Sequence, residues 1–71
     1  MEIIMSKHAL EQARERGVSI NEIKETIRCG AKLLQNGKII AIYRHIKIAF
    51  KKAKEKFFII TVMIRSEKNG K

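Results

Sequence analysis

The stretch SINEIKETIRCGAKLLQNGKIIAIY, residues 19–43, changes its apolar period once, and that change decides the fold. Up to Cys29 the period is helical: Ser19 and Glu22 have the spacing of a capping box, and Ile20, Ile23 and Ile27 fall on one face. Beyond Gly30 the period is two, with Asn36-Gly37 as a type I′ hairpin signal between Lys32–Gln35 and Lys38–Tyr43. A helix therefore gives way to consecutive strands at a single glycine.

Outward from this stretch the pattern extends both ways. Ser6 is placed to cap a helix over Lys7 to Arg16, and Gly17 supplies its left-handed stop. Residues 2 to 5, Glu-Ile-Ile-Met, suit a short first strand. Downstream, a turn is expected near Arg44-His45, then a strand Ile46 to Phe50 with Ile46, Ile48 and Phe50 on one face. Lys51 to Lys56 reads as a charged loop, and Phe57 to Ile64 as a central strand, apolar on both faces. The expected fold is α+β, two N-terminal helices packed on one face of a mostly antiparallel four-stranded sheet. It forms one domain over residues 1–65, with a disordered basic tail at 66–71. Alternation predicts Phe58, Ile60, Val62 and Ile64 toward the helices. The opposite face then carries Tyr43, His45, Lys47, Lys51, Thr61 and Arg65, mixed with Ile59 and Met63.

Charge is divided along the same line. Residues 1–30 hold five cations and five glutamates, so the net +9 of the chain belongs to residues 31–71. A neutral helical layer behind a positive sheet suits a polyanion, and nucleic acid is the simplest one. Composition excludes other classes. The single Cys29 forbids an intrachain disulfide, and no apolar run approaches the ~20 residues of a membrane helix. A cytoplasmic protein with no membrane partner is expected. There is no Asp, no cluster with metal-ligand spacing and no glycine-rich phosphate loop, so no metal and no cofactor are expected. Cys29 is expected to pack at a helix end.

On the first helix His8, Gln12 and Arg16 follow at i, i+4, i+8, lining the seam between helix and sheet. Metal-free RNA cleavage needs a base for the 2′-OH, an acid for the leaving oxygen and a cation for the phosphorane. His8, His45 and Glu11 or Glu15 are the available proton carriers and Arg14, Arg16, Arg44 and Lys47 the available cations, with a boundary histidine that merely packs as the bland alternative to His8. Ala13, Gly17, Val18, Ser19 and Ile23 also match helix-turn-helix spacing, with Asn21, Lys24 and Arg28 displayed. Glu22 and Glu25 on that helix weigh against a groove-reading role.

The run Ser6-Lys7-His8-Ala9, continued through Arg14-Glu15-Arg16-Gly17-Val18-Ser19, then Gly30, the hairpin and Ile59-Ile60-Thr61-Val62, resembles the small bacterial and archaeal family called domain of unknown function 4258. That family is similar in helix and strand order to the RelE/ParE toxins, and the resemblance implies their fold, two helices on a curved antiparallel sheet. RelE-type members cut mRNA on the ribosome and ParE-type members act on gyrase, so the fold leaves the function open. By position, the marked residues of the family fall on His8, Arg16 and Thr61. Where the resemblance implies another basic residue in the first helix, this chain has Gln12, and Arg14 lies about 200° round the helix from it.

The expectation that joins these observations is a RelE-like, RNA-binding protein of toxin type, acting as a metal-independent endoribonuclease in its sharpest form. His8 carries the proton, Arg16 and Arg44 hold phosphate, and Tyr43 and Lys47 form the substrate platform with His45, Lys51, Thr61 and Arg65. RNA stands ahead of DNA as partner, and an acidic antitoxin-like protein or a second copy completes the set. The alternative is a non-catalytic interaction module that docks a partner on Phe57 to Ile64, with DNA binding by the second helix third.

Overall fold

The computed structural model describes residues 1–64, in the order β1 (Glu2–Met5), α1 (Lys7–Arg16), α2 (Ile20–Cys29), β2 (Ala31–Gln35), β3 (Lys38–Tyr43), β4 (Ile46–Ala53) and β5 (Lys56–Ile64). Both helices begin as their caps dictate. Ser6 Oγ accepts from the Ala9 N–H at 3.0 Å. At α2, Ser19 Oγ accepts from the Glu22 N–H at 3.2 Å while Glu22 Oε1 accepts from the Ser19 N–H at 2.9 Å, a complete capping box. Gly17, at φ 68°, ends α1 in the left-handed region.

The sheet corrects the four-stranded antiparallel expectation. It has five strands in the order β1-β5-β4-β3-β2, and β1 pairs with β5 in parallel, from Glu2↔Lys56 to Met5↔Ile59. The fold is still α+β, with a mixed sheet. A parallel pair needs a long crossover, and here everything between β1 and β5 serves as one. No local signal announces such a partner in four residues.

A second correction concerns phase. Phe50 pairs with Ile59 and Ala49 with Thr61, so a β-bulge inserts Ile60 as an extra residue. Side chains before the bulge are shifted relative to strict alternation: Phe57, Ile59, Val62 and Ile64 pack with the helices, and Phe58 turns to the other face. The Lys51–Lys56 loop is also shorter than expected, because β4 continues to Ala53 and only Lys54-Glu55 turn.

The core lies between helices and sheet. Ala9, Ala13, Val18, Ile23 and Ile27 meet Ala41, Ile46, Ile48, Phe50, Ile59 and Val62. Thr26 is the buried polar member among the described residues, and its Oγ1 donates to the Glu22 carbonyl at 2.7 Å. Cys29 is exposed at the end of α2, not packed as expected. Arg65 and the tail 66–71 lie outside the described residues.

Candidate nucleic-acid interface

The face of the sheet turned away from the helices is built from cross-strand rows. One row crosses all five strands: Gln35 opposite Lys38, Lys51 opposite Phe58, and Phe58 beside Ile4. Continuing the Ile39↔Phe50 register by one residue sets Lys38 opposite Lys51. The next row is Leu33, Ile40, Ala49, Thr61, and the one after it Ala31, Ile42, Lys47, Met63. Ile40 and Ala49 are buried at 5% and 6% exposure, though no helix covers them. Phe58 is 39% exposed. Lys47 is half-buried between Ile42 and Met63, which places its methylene stem on apolar surface.

Like charges set directly opposite each other on a sheet destabilise it. Lys38 and Lys51 stand so, with no carboxylate in their row and an aromatic ring next along. An anion lying between them would relieve the repulsion. Among the described residues of the paired rows, the acid on this face is Glu2, which pairs with Lys56.

Among the described residues five lysines gather at one end of the sheet. Lys38, Lys51, Lys52, Lys54 and Lys56 all flank the 36–37 and 54–55 turns. Lys32 and Lys52 point to the helix side. There, with Arg28, they rim a cleft of about 320 Å³ over Ile27, Phe50 and Phe57, and Lys52 Nζ stands 5.7 Å from the Phe57 ring centroid.

The residues expected to form the site divide into groups. Lys47, Lys51 and Thr61 lie on the open face, as alternation predicts. Tyr43 does not: it pairs with core residue Ile46 and is half-buried on the helix side, with the Arg44 guanidinium 5.2 Å from its ring centroid. Arg44 and His45 form the exposed β3–β4 turn. His8 is exposed in the first turn of α1, and Arg16, at the other end, lies 3.7 Å from Glu15, an exposed pair that contributes little. Ser6 Oγ donates to the Ile60 carbonyl at 3.4 Å, whereas Ile64 pairs with Ile46, the residue after His45. Four residues of strand, about 13 Å, separate those two levels, so His8 and His45 do not form one acid–base pair. Gln12 points at the sheet edge, where its Oε1 accepts from the Val62 N–H at 3.0 Å. Strict alternation places Phe58 in the core, and the bulge turns it to the open face.

Among the described residues, no three side chains of His, Cys, Asp or Glu stand together in a way that could hold a metal ion, and no helix is long and apolar enough to cross a membrane.

The family model described as Domain of unknown function (DUF4258) matches residues 5–64. The chain belongs to this family. No curated protein and no solved structure matches it. The DUF4258 match runs from the end of β1 through β5 and takes in Lys38, Lys51 and Phe58, along with both helices. The family description states no activity, so function has to be argued from the open face.

Proposed function

We propose that this DUF4258 protein binds single-stranded RNA on its open sheet face, with a base stacked on Phe58 and phosphates held by Lys38, Lys51, Lys47 and Lys56. One juxtaposition carries the reading: Lys38 and Lys51, one residue past the Ile39↔Phe50 pair of β3 and β4, stand in line with the exposed Phe58 ring, and among the described residues no acid shares their row. Cations track a phosphate backbone whatever its sequence, and every base has a face to stack. An exposed ring suits a single strand, whose bases are free to stack, and the choice between RNA and DNA rests on the comparison below.

The test is fluorescence anisotropy of a labelled single-stranded RNA titrated against salt. Phe58→Ala should weaken binding by about 1–3 kcal/mol, roughly 5- to 150-fold. Lys51→Ala should flatten the log–log salt slope by about 0.7, the share of one phosphate contact on a single strand. Unchanged affinity in Phe58→Ala would remove the stacking role. The same titration with single-stranded DNA checks the choice of RNA, and Lys24→Glu with Arg28→Glu checks the helix-turn-helix reading, which alone needs α2. Incubation of the RNA in EDTA reads cleavage. Products formed by the wild type and lost in an equally folded His8→Ala would give His8 the proton-carrying role and make the protein a metal-independent endoribonuclease; intact RNA with both would leave a binding surface.

A second reading rests on a different observation. Ile40, Ile42 and Met63 on the inner strands β3 and β5 make the middle of the open face apolar, which suits a docked protein of acidic rim and apolar centre. Such a complex would show as a stoichiometric acidic partner that competes with RNA.

A further inference from the structure

We infer that β2 is a self-recognition edge: two copies of the chain join β2 to β2, antiparallel, about a two-fold axis at Leu33, into one continuous sheet. The inference is independent of the RNA reading. β2 ends the sheet order and all five of its residues are exposed. Edge strands are commonly blunted by bulges, proline or charged side chains such as lysine; β2 has no bulge and no proline, and its one charge is Lys32. Its register with β3 is unbroken from Ala31↔Ile42 to Gln35↔Lys38, and its middle is Leu33 and Leu34, on opposite faces and 52% and 77% exposed.

Hydrogen-bond parity decides which partner fits. Asn36 and Gly37, at φ 51° and 78°, form the type I′ turn, which closes on Gln35 and Lys38 as a pair exchanging both bonds. Because bonded and non-bonded pairs alternate, Leu33 and Ala31 also turn their N–H and C=O toward β3, whereas Lys32 and Leu34 turn theirs outward. An antiparallel copy centred on Leu33 satisfies these outward groups completely. Lys32 exchanges both bonds with Leu34 of the second copy, Leu34 does so with its Lys32, and the two Leu33 side chains meet in the close non-bonded pair.

Other centres do worse. About Lys32, two lysines would face each other. About Leu34, Lys32 would have to pair with Asn36, which is left-handed and cannot continue a ladder. In the Leu33-centred seam the one charged residue is already turned aside, since Lys32 Nζ donates to the Gly30 carbonyl of its own chain at 3.0 Å. The two-fold axis stands perpendicular to the sheet, so the open faces of both copies look the same way. Each copy carries +9, and association therefore strengthens as salt screens the repulsion, opposite in sign to nucleic-acid binding.

The test compares Leu33→Cys with Leu34→Cys, each in a Cys29→Ser background that removes the exposed native thiol, under mild oxidation. Across the inferred seam the Cα atoms at position 33 are about 4.5 Å apart, within disulfide reach, and those at position 34 about 8 Å, beyond it. Leu33→Cys should form covalent dimers roughly tenfold faster or more, although position 34 is the more exposed. Equal rates, faster linkage through Leu34→Cys, or no dimer from either would overturn the inference. Sedimentation equilibrium of the wild type gives a second reading: the dimer fraction should rise from low to high KCl and vanish in Leu33→Lys, and a monomer at both salts would also overturn it. Neither measurement involves RNA, so this inference and the RNA reading fail separately.

Discussion

Gln12 shows how a single residue can be committed to the fold where a basic residue was expected. β1 stops at the Met5↔Ile59 pair, so the next part of β5 has no strand on that side, and the Val62 N–H is met by the Gln12 side chain instead. Lys or Arg carries no acceptor. Gln12→Lys should cost about 1–3 kcal/mol in denaturant unfolding by stranding that N–H, whereas Gln12→Glu keeps an acceptor and should cost less. Equal losses would show that the bond contributes nothing. Besides Asn36, two non-glycine residues lie in the left-handed region and give a second comparison, Arg44 at φ 57° and Lys54 at φ 58°. Each stores about 1–2 kcal/mol. Lys54→Gly should recover about 1 kcal/mol, or ~4–8 °C in Tm for a domain of this size. Arg44→Gly should recover less, because it also removes the contact over the Tyr43 ring, worth about 0.5–1 kcal/mol. Thermal unfolding of both variants orders them. At this scale the facing of Lys47, Lys51 and Thr61 was legible from alternation. Phe58 and the burial of Tyr43 were not, since the facing of a strand residue depends on register with its neighbours.

Among elements, the helices were the easiest to read because their start and stop signals are local. Ser6, Gly17, Ser19 and Glu22 act within three or four residues of themselves. The junction from α2 to β2 is equally local in sequence, yet its constraint is tertiary. Gly30 has an ordinary φ of −75°, but a Cβ there would lie 2.5 Å from the Thr26 carbonyl oxygen and 2.6 Å from that of Ile42. Both obstacles are backbone, so Gly30→Ala should cost about 1–3 kcal/mol or more through overpacking. Gly17→Ala meets nothing within 4 Å and bears only the left-handed penalty, about 1–2 kcal/mol. If chemical denaturation ranks Gly17→Ala as the worse variant, the close approach at Gly30 is not what that position serves. The bulge at Ile60 belongs to this scale as well. It reverses the facing of the first half of β5 relative to the second, and a run such as Phe57-Phe58-Ile59-Ile60 contains no polar residue to mark the slip.

For the whole molecule, the decisive property is where the net charge sits. Continued one residue past Ile39↔Phe50, the β3–β4 register sets Lys38 opposite Lys51 with no acid of the described residues in their row, a cost of about 0.2–1 kcal/mol for the free protein. Lys51→Gln should therefore raise the Tm of the free protein slightly while weakening RNA binding, a pairing of effects that a merely structural lysine would not give. Differential scanning calorimetry with and without RNA checks both signs, and a lower Tm for the free variant would contradict the repulsion. The sequence alone determined the two helices with their caps, the change of period at Gly30, the Asn36-Gly37 hairpin and the basic second half, because each is written in neighbours or in composition. The tertiary structure alone decided that β1 joins the sheet as a fifth strand parallel to β5, the phase of β5, the gathering of lysines around two turns and the exposure of Phe58. Each of these depends on pairing between segments distant in the chain, as β1 and β5 are, and such pairing leaves no periodic mark in either segment.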